Sequence, residues 1–453
     1  MRTALANSIS CPDEILLRAE ALFRAEQSEV SPDVLSERID LLRSYDVLAM
    51  ERVVAIVSWG RSGSLLLASY LDGHDDVLML PELCGQGIYS FFDRYRSLPW
   101  SDKLIAFPVS ESDYPGMFES TFAVSPAQYY IAVKAILEFY GNWPREFLES
   151  RRAFFLFVHI AYSLALGRLP ASSHPLIVYA QHEWSDVIAA NLAEDFPDAK
   201  FVHAVRDPIS SCDRMFHFLL GQSAVQFPRT YVLAPYSAVC CLSNKDRPHF
   251  KMESRTRALR FEDLHCDTAE TMRALSDWIA LPYQTTLLAS TFNGKPYLIT
   301  RDGNTWSGRR LEQVQRQSQH LSRKDRALLF TLFYENFADW GYPCPRIFRN
   351  PIVRCVVFAS LFLFPLKMEI IAAREVFKRR ILPSIRRGDL RLATRSLGAV
   401  GFCRLKIMGL IAPVFLQRCA HGAALLQVHR EEQSIGRQQV AEERRETLEV
   451  GRS

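Results

Sequence analysis

The stretch Arg52-Val53-Val54-Ala55-Ile56-Val57-Ser58-Trp59-Gly60-Arg61-Ser62-Gly63-Ser64-Leu65-Leu66-Leu67-Ala68-Ser69-Tyr70-Leu71 decides how the rest of the chain is read. Val53 to Val57 is a short β-branched run with no polar alternation, the pattern of a strand buried on both faces. Ser58 to Gly63 breaks it with two glycines, and the leucine-rich run from Ser64 to Leu71 continues as a helix. Strand, glycine loop and helix in this order form the first half of an α/β design. The N–H groups that open such a helix lack partners within it and carry its positive end, so the loop suits a phosphate or sulfate. Arg61 adds a charged fork of donors, and Ser62 and Ser64 add hydroxyls. The loop is not a Walker A motif, because no lysine precedes the serine. An ordinary strand-to-helix turn uses the same glycines for geometry alone.

Working outward, Pro175–Tyr179, Lys200–Val205 and Ala258–Phe261 read as further strands. Helical spacing covers 124–167, 186–196 and 268–280. Strands alternating with helices predict an α/β fold, a P-loop-like central parallel sheet flanked by helices. The Lys200–Val205 strand closes on Arg206-Asp207-Pro208. An arginine there points into the crevice where open α/β sheets bind ligands, or else it makes a strand-end salt bridge.

Composition bounds the remaining classes. The chain has 453 residues, 48% hydrophobic and 23% charged, with a net charge of +4. That is a globular balance, not a disordered or fibrous one, and too weak in charge to argue for nucleic acid. Ten cysteines are scattered with no C-x-x-C pair, so a structural zinc site has no support in the sequence. The N-terminus carries no apolar secretory core, which makes the cytosol the expected compartment. No apolar run of about 20 residues stands out as a membrane span, and the nearest is Cys355–Leu366. The expected organisation is a solvated helical segment over 1–50, a main domain over 51–348, a basic apolar helical extension over 349–428 and a charged tail over 429–453. Residues 351–420 hold 13 Lys/Arg against 3 Asp/Glu. Helices of that kind lie on an anionic membrane surface, or pack as a cap whose arginines face solvent. Every motif precedes residue 345, so the extension is expected to be removable without unfolding them.

Taken together, the motifs resemble the sulfotransferase superfamily that uses 3′-phosphoadenosine 5′-phosphosulfate (PAPS). Ala55–Leu66 is similar to the family's 5′-phosphosulfate loop, and Phe196–Pro208 to its 3′-phosphate strand. His74-Asp75-Asp76-Val77 with Pro81-Glu82-Leu83 resembles the segments that follow the loop, and Leu259–Leu264 its Arg-Tyr-Glu-Asp-Leu element. Asn293-Gly294-Lys295 and 303–308 resemble the late loop that covers the nucleotide. The resemblance spans about residues 52–345.

It implies that Gly60, Arg61, Ser62, Gly63, Ser64 and Leu65 hold the phosphosulfate and Arg206 the 3′-phosphate. The family's serine eight positions after that arginine is replaced by Arg214, so Arg214 or a serine at the helix start, Ser210 or Ser211, completes the site. Trp306 and Phe261 are candidates for the adenine. Glu82 falls where the family's catalytic base stands, with His182 and His74 as alternatives. Its strand is expected beside the first one, which would aim Glu82 at Arg61. The aromatics Tyr89, Phe91, Phe92, Tyr95 and Trp100 line a sugar groove or pack as core. The resemblance thus implies PAPS as co-substrate, no metal, since basic residues can hold the bisphosphate, and a hydroxyl acceptor. The carboxylate base candidate, the aromatic cluster and the basic extension favour a carbohydrate or glycolipid at the inner membrane face. A protein tyrosine or small molecule as acceptor, a P-loop kinase, and a membrane-held P-loop scaffold remain the alternatives.

Overall fold

The computed structural model describes residues 12–26, 40–58, 62–81, 84–85, 87–109, 124–181, 186–225, 234–242, 253–301, 304–315, 321–416 and 425–426. Five strands, β1 (Val53–Ser58), β2 (Val77–Met79), β3 (Leu176–Gln181), β4 (Lys200–Val205) and β5 (Thr256–Arg260), form one sheet. The order is β2-β3-β1-β4-β5, and every pairing is parallel. The β1 strand is central because it is buried on both faces at every position. Alternate side chains feed two separate cores. Val53, Ala55 and Val57 pack under the helices Pro126–Tyr140 and Arg151–Ala165, while Val54 and Ile56 pack under Ser64–Leu71 and Thr268–Ile279. Burial on both faces selects a parallel sheet with no polar alternation.

After β1 the chain passes to β2 and returns to β3 on one flank of β1. It then crosses to β4 and β5 on the other flank. The direction of winding therefore reverses between β1 and β4, where open α/β sheets leave a crevice at the carboxyl ends of their strands. Ser58 pairs with Ala204, so the carboxyl end of β1 lies beside that of β4, which leads into Arg206.

Several expectations are corrected. The β2 strand does not lie beside β1, because β3 intervenes. The N-terminal segment is not a solvated helix. Ala19 and Phe23 of the helix Pro12–Glu26 are buried in the main core, and Phe23 stacks on Tyr130 at 4.6 Å. The helical stretch 124–167 is three helices, Pro126–Tyr140, the short Arg145–Leu148 and Arg151–Ala165, the first break falling at Gly141-Asn142-Trp143-Pro144. Two hairpins, β6 (Thr291–Phe292) with β7 (Lys295–Pro296) and β8 (Leu298–Arg301) with β9 (Asn304–Ser307), were not anticipated.

The extension is not an appendage. Its helices Pro351–Leu363, Lys367–Val376, Leu382–Arg386 and Leu390–Leu416 share a core with the body. Met368, Val376, Ile407 and Ile411 lie in one cluster with Val205, Cys212 and Phe216. Leu425 then bridges to Ala258, and the Leu426 N–H donates to the Ala258 carbonyl at 2.8 Å, covering the open edge of β5. Leu390–Leu416 also corrects the reading of apolar runs. Its stretch Leu390–Pro413 is long and apolar enough, by length and composition, to cross a membrane.

Candidate functional site

The site is built where β1 and β4 end. Trp59, Gly60 and Arg61 lie outside the described residues, and the loop is described again from Ser62. Ser62 and Ser64 are buried, and Leu65 is half-buried at the first turn of Ser64–Leu71. Gly63 is the helix N-cap at φ +84°, a left-handed conformation that L side chains adopt only at a cost. It is constrained a second time by its neighbour, since a Cβ on Gly63 would lie 2.4 Å from Cδ2 of Phe261. Gly63 therefore rests directly on the Phe261 ring.

That ring carries the next element. The Arg206 guanidinium stands 4.1 Å from its centroid, and the His265 ring meets it edge-on at 4.3 Å. Phe261 is 8% exposed, so it serves as a spacer between the loop and Arg206 and not as an open stacking surface for adenine. Arg206 is itself buried. Its Nη2 donates to the Gln313 carbonyl at 3.1 Å, and Nη2 of Arg214 donates to the Gln313 Oε1 at 3.4 Å. Two guanidiniums thus converge on one neutral residue.

Local sequence explains the spacing. Asp207 stands before Pro208 at the start of the helix Pro208–Val225 and accepts the Ser210 N–H at 2.7 Å. Ser210 and Arg214, four apart, share one face of that helix, and Arg206 stands at its entry. Ser210 is half-buried, whereas Ser211 is fully buried.

A second layer fixes the turn. The Asp207 N–H donates to Glu262 Oε1 at 3.2 Å, and the Tyr342 hydroxyl donates to Glu262 Oε2 at 2.6 Å. Burial pushes the Glu262 carboxyl above the usual carboxylate range, and the Tyr342 hydroxyl and Arg206 act against that push. Arg260 is held by a fork to Asp263, both contacts at 2.8 Å. On the other side, His265 Nδ1 accepts the Arg310 N–H at 2.8 Å. Burial, with Arg206 nearby, pushes His265 down to about 4, so it is neutral at pH 7. The Arg310 guanidinium covers the Trp306 ring at 4.6 Å, which brings Trp306 to the same side of the crevice. Trp306 Nε1 is buried and has no hydrogen-bond partner among the described residues.

The base candidates divide. Glu82 and His182 lie outside the described residues. His74 is at the opposite edge of the sheet, with Nε2 2.7 Å from the Pro282 carbonyl and Nδ1 accepting the Asp76 N–H at 3.0 Å. Both ring nitrogens are engaged far from the crevice, so His74 is not a base. Asn293-Gly294 is likewise removed from the nucleotide-covering role. It is the turn of the β6–β7 hairpin, and both its N–H groups donate to Asp72, just past the carboxyl end of Ser64–Leu71. The aromatic cluster is core, since Tyr89, Phe91, Phe92 and Tyr95 are all buried. Its rings stack among themselves and on Phe154 and Phe155 instead of lining a groove.

Sequence reasoning missed Gln313, Glu262 and Tyr342. The last two are 80 residues apart and meet only through the fold. Glu262 stood inside a recognised motif, which was the one available signal. Among the described residues, no three His, Cys, Asp or Glu come together in a way that would hold a metal ion.

A profile described as the sulfotransferase family matches residues 54–285. A comparison with curated proteins returned no match. Among solved structures, the chain is similar to the sulfotransferase STF9 from Mycobacterium avium, at 13% identity and a TM-score of 0.36 over 75% of this chain and 98% of that one. It is also similar to a sulfotransferase domain from the curacin biosynthetic pathway, at 15% identity and a TM-score of 0.34 over 65% and 99%. A third is the sulfotransferase domain of the Synechococcus PCC 7002 olefin synthase, at 18% identity and a TM-score of 0.30 over 52% and 76%.

Proposed function

The chain belongs to the sulfotransferase family, and we propose that it moves the sulfuryl group of PAPS to a hydroxyl of a carbohydrate or glycolipid. The observation that carries the donor reading is the convergence of Arg206 and Arg214 on Gln313, beside the loop that ends at Gly63. One guanidinium on the backbone carbonyl and one on the carboxamide oxygen of a neutral residue bring two positive charges together, and a phosphate dianion is the ligand that satisfies them. Ser210, on the same helix face, adds a hydroxyl. The buried, unpartnered Nε1–H of Trp306 on the same side offers a donor to a heteroaromatic ring.

PAPS supplies an activated sulfuryl group on a bisphosphate leaving group. The protein's share is to hold both ends and to move one proton. Arg61 and the N–H groups of Ser62, Gly63 and Ser64 neutralise charge on the leaving oxygen, while Arg206 and Arg214 grip the 3′-phosphate. Glu82 takes the proton of the acceptor hydroxyl, with His182 as the alternative base. The acceptor reading rests on the carboxylate base and on the basic extension. A glycolipid would be met at the cytoplasmic face of a membrane, with the protein held there peripherally.

Calorimetry with adenosine 3′,5′-bisphosphate and ATP tests the donor. The bisphosphate binds the wild type, and Arg206→Ala or Arg214→Ala weakens it by about 1.5–3 kcal/mol, one charge-assisted contact. Equal affinity for ATP would overturn the reading. Labelled PAPS incubated with membrane extracts and with soluble glycans then identifies the acceptor.

A further inference from the structure

The helix Leu390–Leu416 has two unlike faces. Ala393, Cys403, Ile407, Leu410 and Ile411 are buried against the body. At about 100° per residue, the opposite arc carries Leu390, Leu397, Phe402 and Leu405, which are 65, 59, 55 and 69% exposed. Gly398 and Gly401 lie among them with open space where a Cβ would stand. Single exposed leucines are ordinary, but four large apolar side chains on one arc of one helix are not.

Charge says what covers this face. Residues 351–416 hold 12 lysines and arginines against 3 acids. All three acids are engaged within the extension. Glu369 pairs with Arg404 at 2.6 Å, Glu375 pairs with Arg379 at 2.9 Å, and Asp389 accepts the Leu392 N–H at 2.9 Å. The cations are therefore in excess. Arg391 and Arg395 are exposed, Arg391 within the apolar arc and Arg395 at its Phe402 edge on the helix wheel. An apolar arc that carries long cationic side chains within it and at its edge matches the boundary between headgroups and acyl chains. There the apolar groups enter the lipid and the arginines reach back to anionic headgroups.

We propose that the outer face of Leu390–Leu416 docks on an anionic bilayer, with the helix lying in the plane of the interface. This deepens the proposed function, since it names the surface at which a glycolipid acceptor is met. The helix does not cross the membrane. Spanning would strip Ile407, Leu410 and Ile411 from the core they share with Phe216 and Trp340.

The test is co-sedimentation of the full chain with vesicles of phosphatidylcholine alone or with about one third phosphatidylglycerol. The wild type binds the anionic vesicles, and binding weakens as salt rises. Arg391→Gln with Arg395→Gln lowers anionic-vesicle affinity about 30-fold, as expected for two surface cations. Leu397→Gln, Phe402→Gln and Leu405→Gln together abolish sedimentation. All variants keep wild-type affinity for adenosine 3′,5′-bisphosphate, so failure here is separable from failure of the donor reading. Binding to both vesicle types without salt dependence would overturn the proposal. So would resistance to alkaline carbonate, which marks a spanning helix, or a dimer that the triple variant splits without changing vesicle binding.

Discussion

Gly63→Ala is the most informative single change. The backbone there is at φ +84°, so any L side chain costs about 1–2 kcal/mol before contacts are considered. The new methyl would lie 2.4 Å from Cδ2 and 3.0 Å from Cε2 of Phe261, against an ordinary carbon–carbon separation of about 3.5–4.0 Å. Phe261 has little room to retreat, because Arg206 covers its ring at 4.1 Å and His265 meets it at 4.3 Å. Overpacking of this kind costs about 1–3 kcal/mol, which makes the expected loss about 2–5 kcal/mol. Urea unfolding followed by far-UV circular dichroism measures it, and calorimetry with adenosine 3′,5′-bisphosphate measures the parallel loss of binding. A double-mutant cycle separates the two causes. In a Phe261→Ala background the steric part vanishes and the backbone part stays, so Gly63→Ala should cost about 1–3 kcal/mol less there. Unchanged stability and nucleotide affinity in Gly63→Ala would refute the argument, as would a cycle with no coupling.

Other outcomes follow from the same structure. Removing residues 351–453 strips Met368, Val376, Ile407 and Ile411 from Cys212 and Phe216, so the truncated chain should be insoluble or lose its cooperative unfolding. A soluble truncation with wild-type bisphosphate affinity would contradict that. Glu82→Gln should leave bisphosphate affinity unchanged and lower turnover about 10²–10⁴-fold. If it turns over normally and His182→Ala is dead, the histidine is the base. Burial pushes both His159 and His265 down to about 4. Each is neutral in the folded chain while its unfolded counterpart titrates near 6.5. The stability they contribute is therefore complete above about pH 6.5 and is lost as pH falls toward 4. The loss is about 2 kcal/mol per histidine between pH 7 and 5, and His159→Leu should flatten that slope in urea titrations at stepped pH.

The sequence by itself determined the sheet, the loop and the family. Val53–Val57, Lys200–Val205 and Ser64–Leu71 are legible because strand and helix patterns are local, and the glycine loop gained its reading only together with the other motifs. Arg206 was legible from its place at the end of a buried strand, and Arg214 from the family resemblance, which marks the position eight residues on. What only the tertiary structure decided is what those residues touch. Strand order is set by packing across the whole sheet, so nothing within residues 72–81 could say that β3 separates β2 from β1. Long-range pairs leave no local signal either. Glu262 meets Tyr342 across 80 residues, and Gln313 receives two arginines that lie about 100 residues before it. The same limit governed the aromatic cluster and the extension. Composition measures how much apolar surface a segment carries. Which part of it finds a partner, as Ile407 does and Leu405 does not, depends on the neighbours the fold supplies.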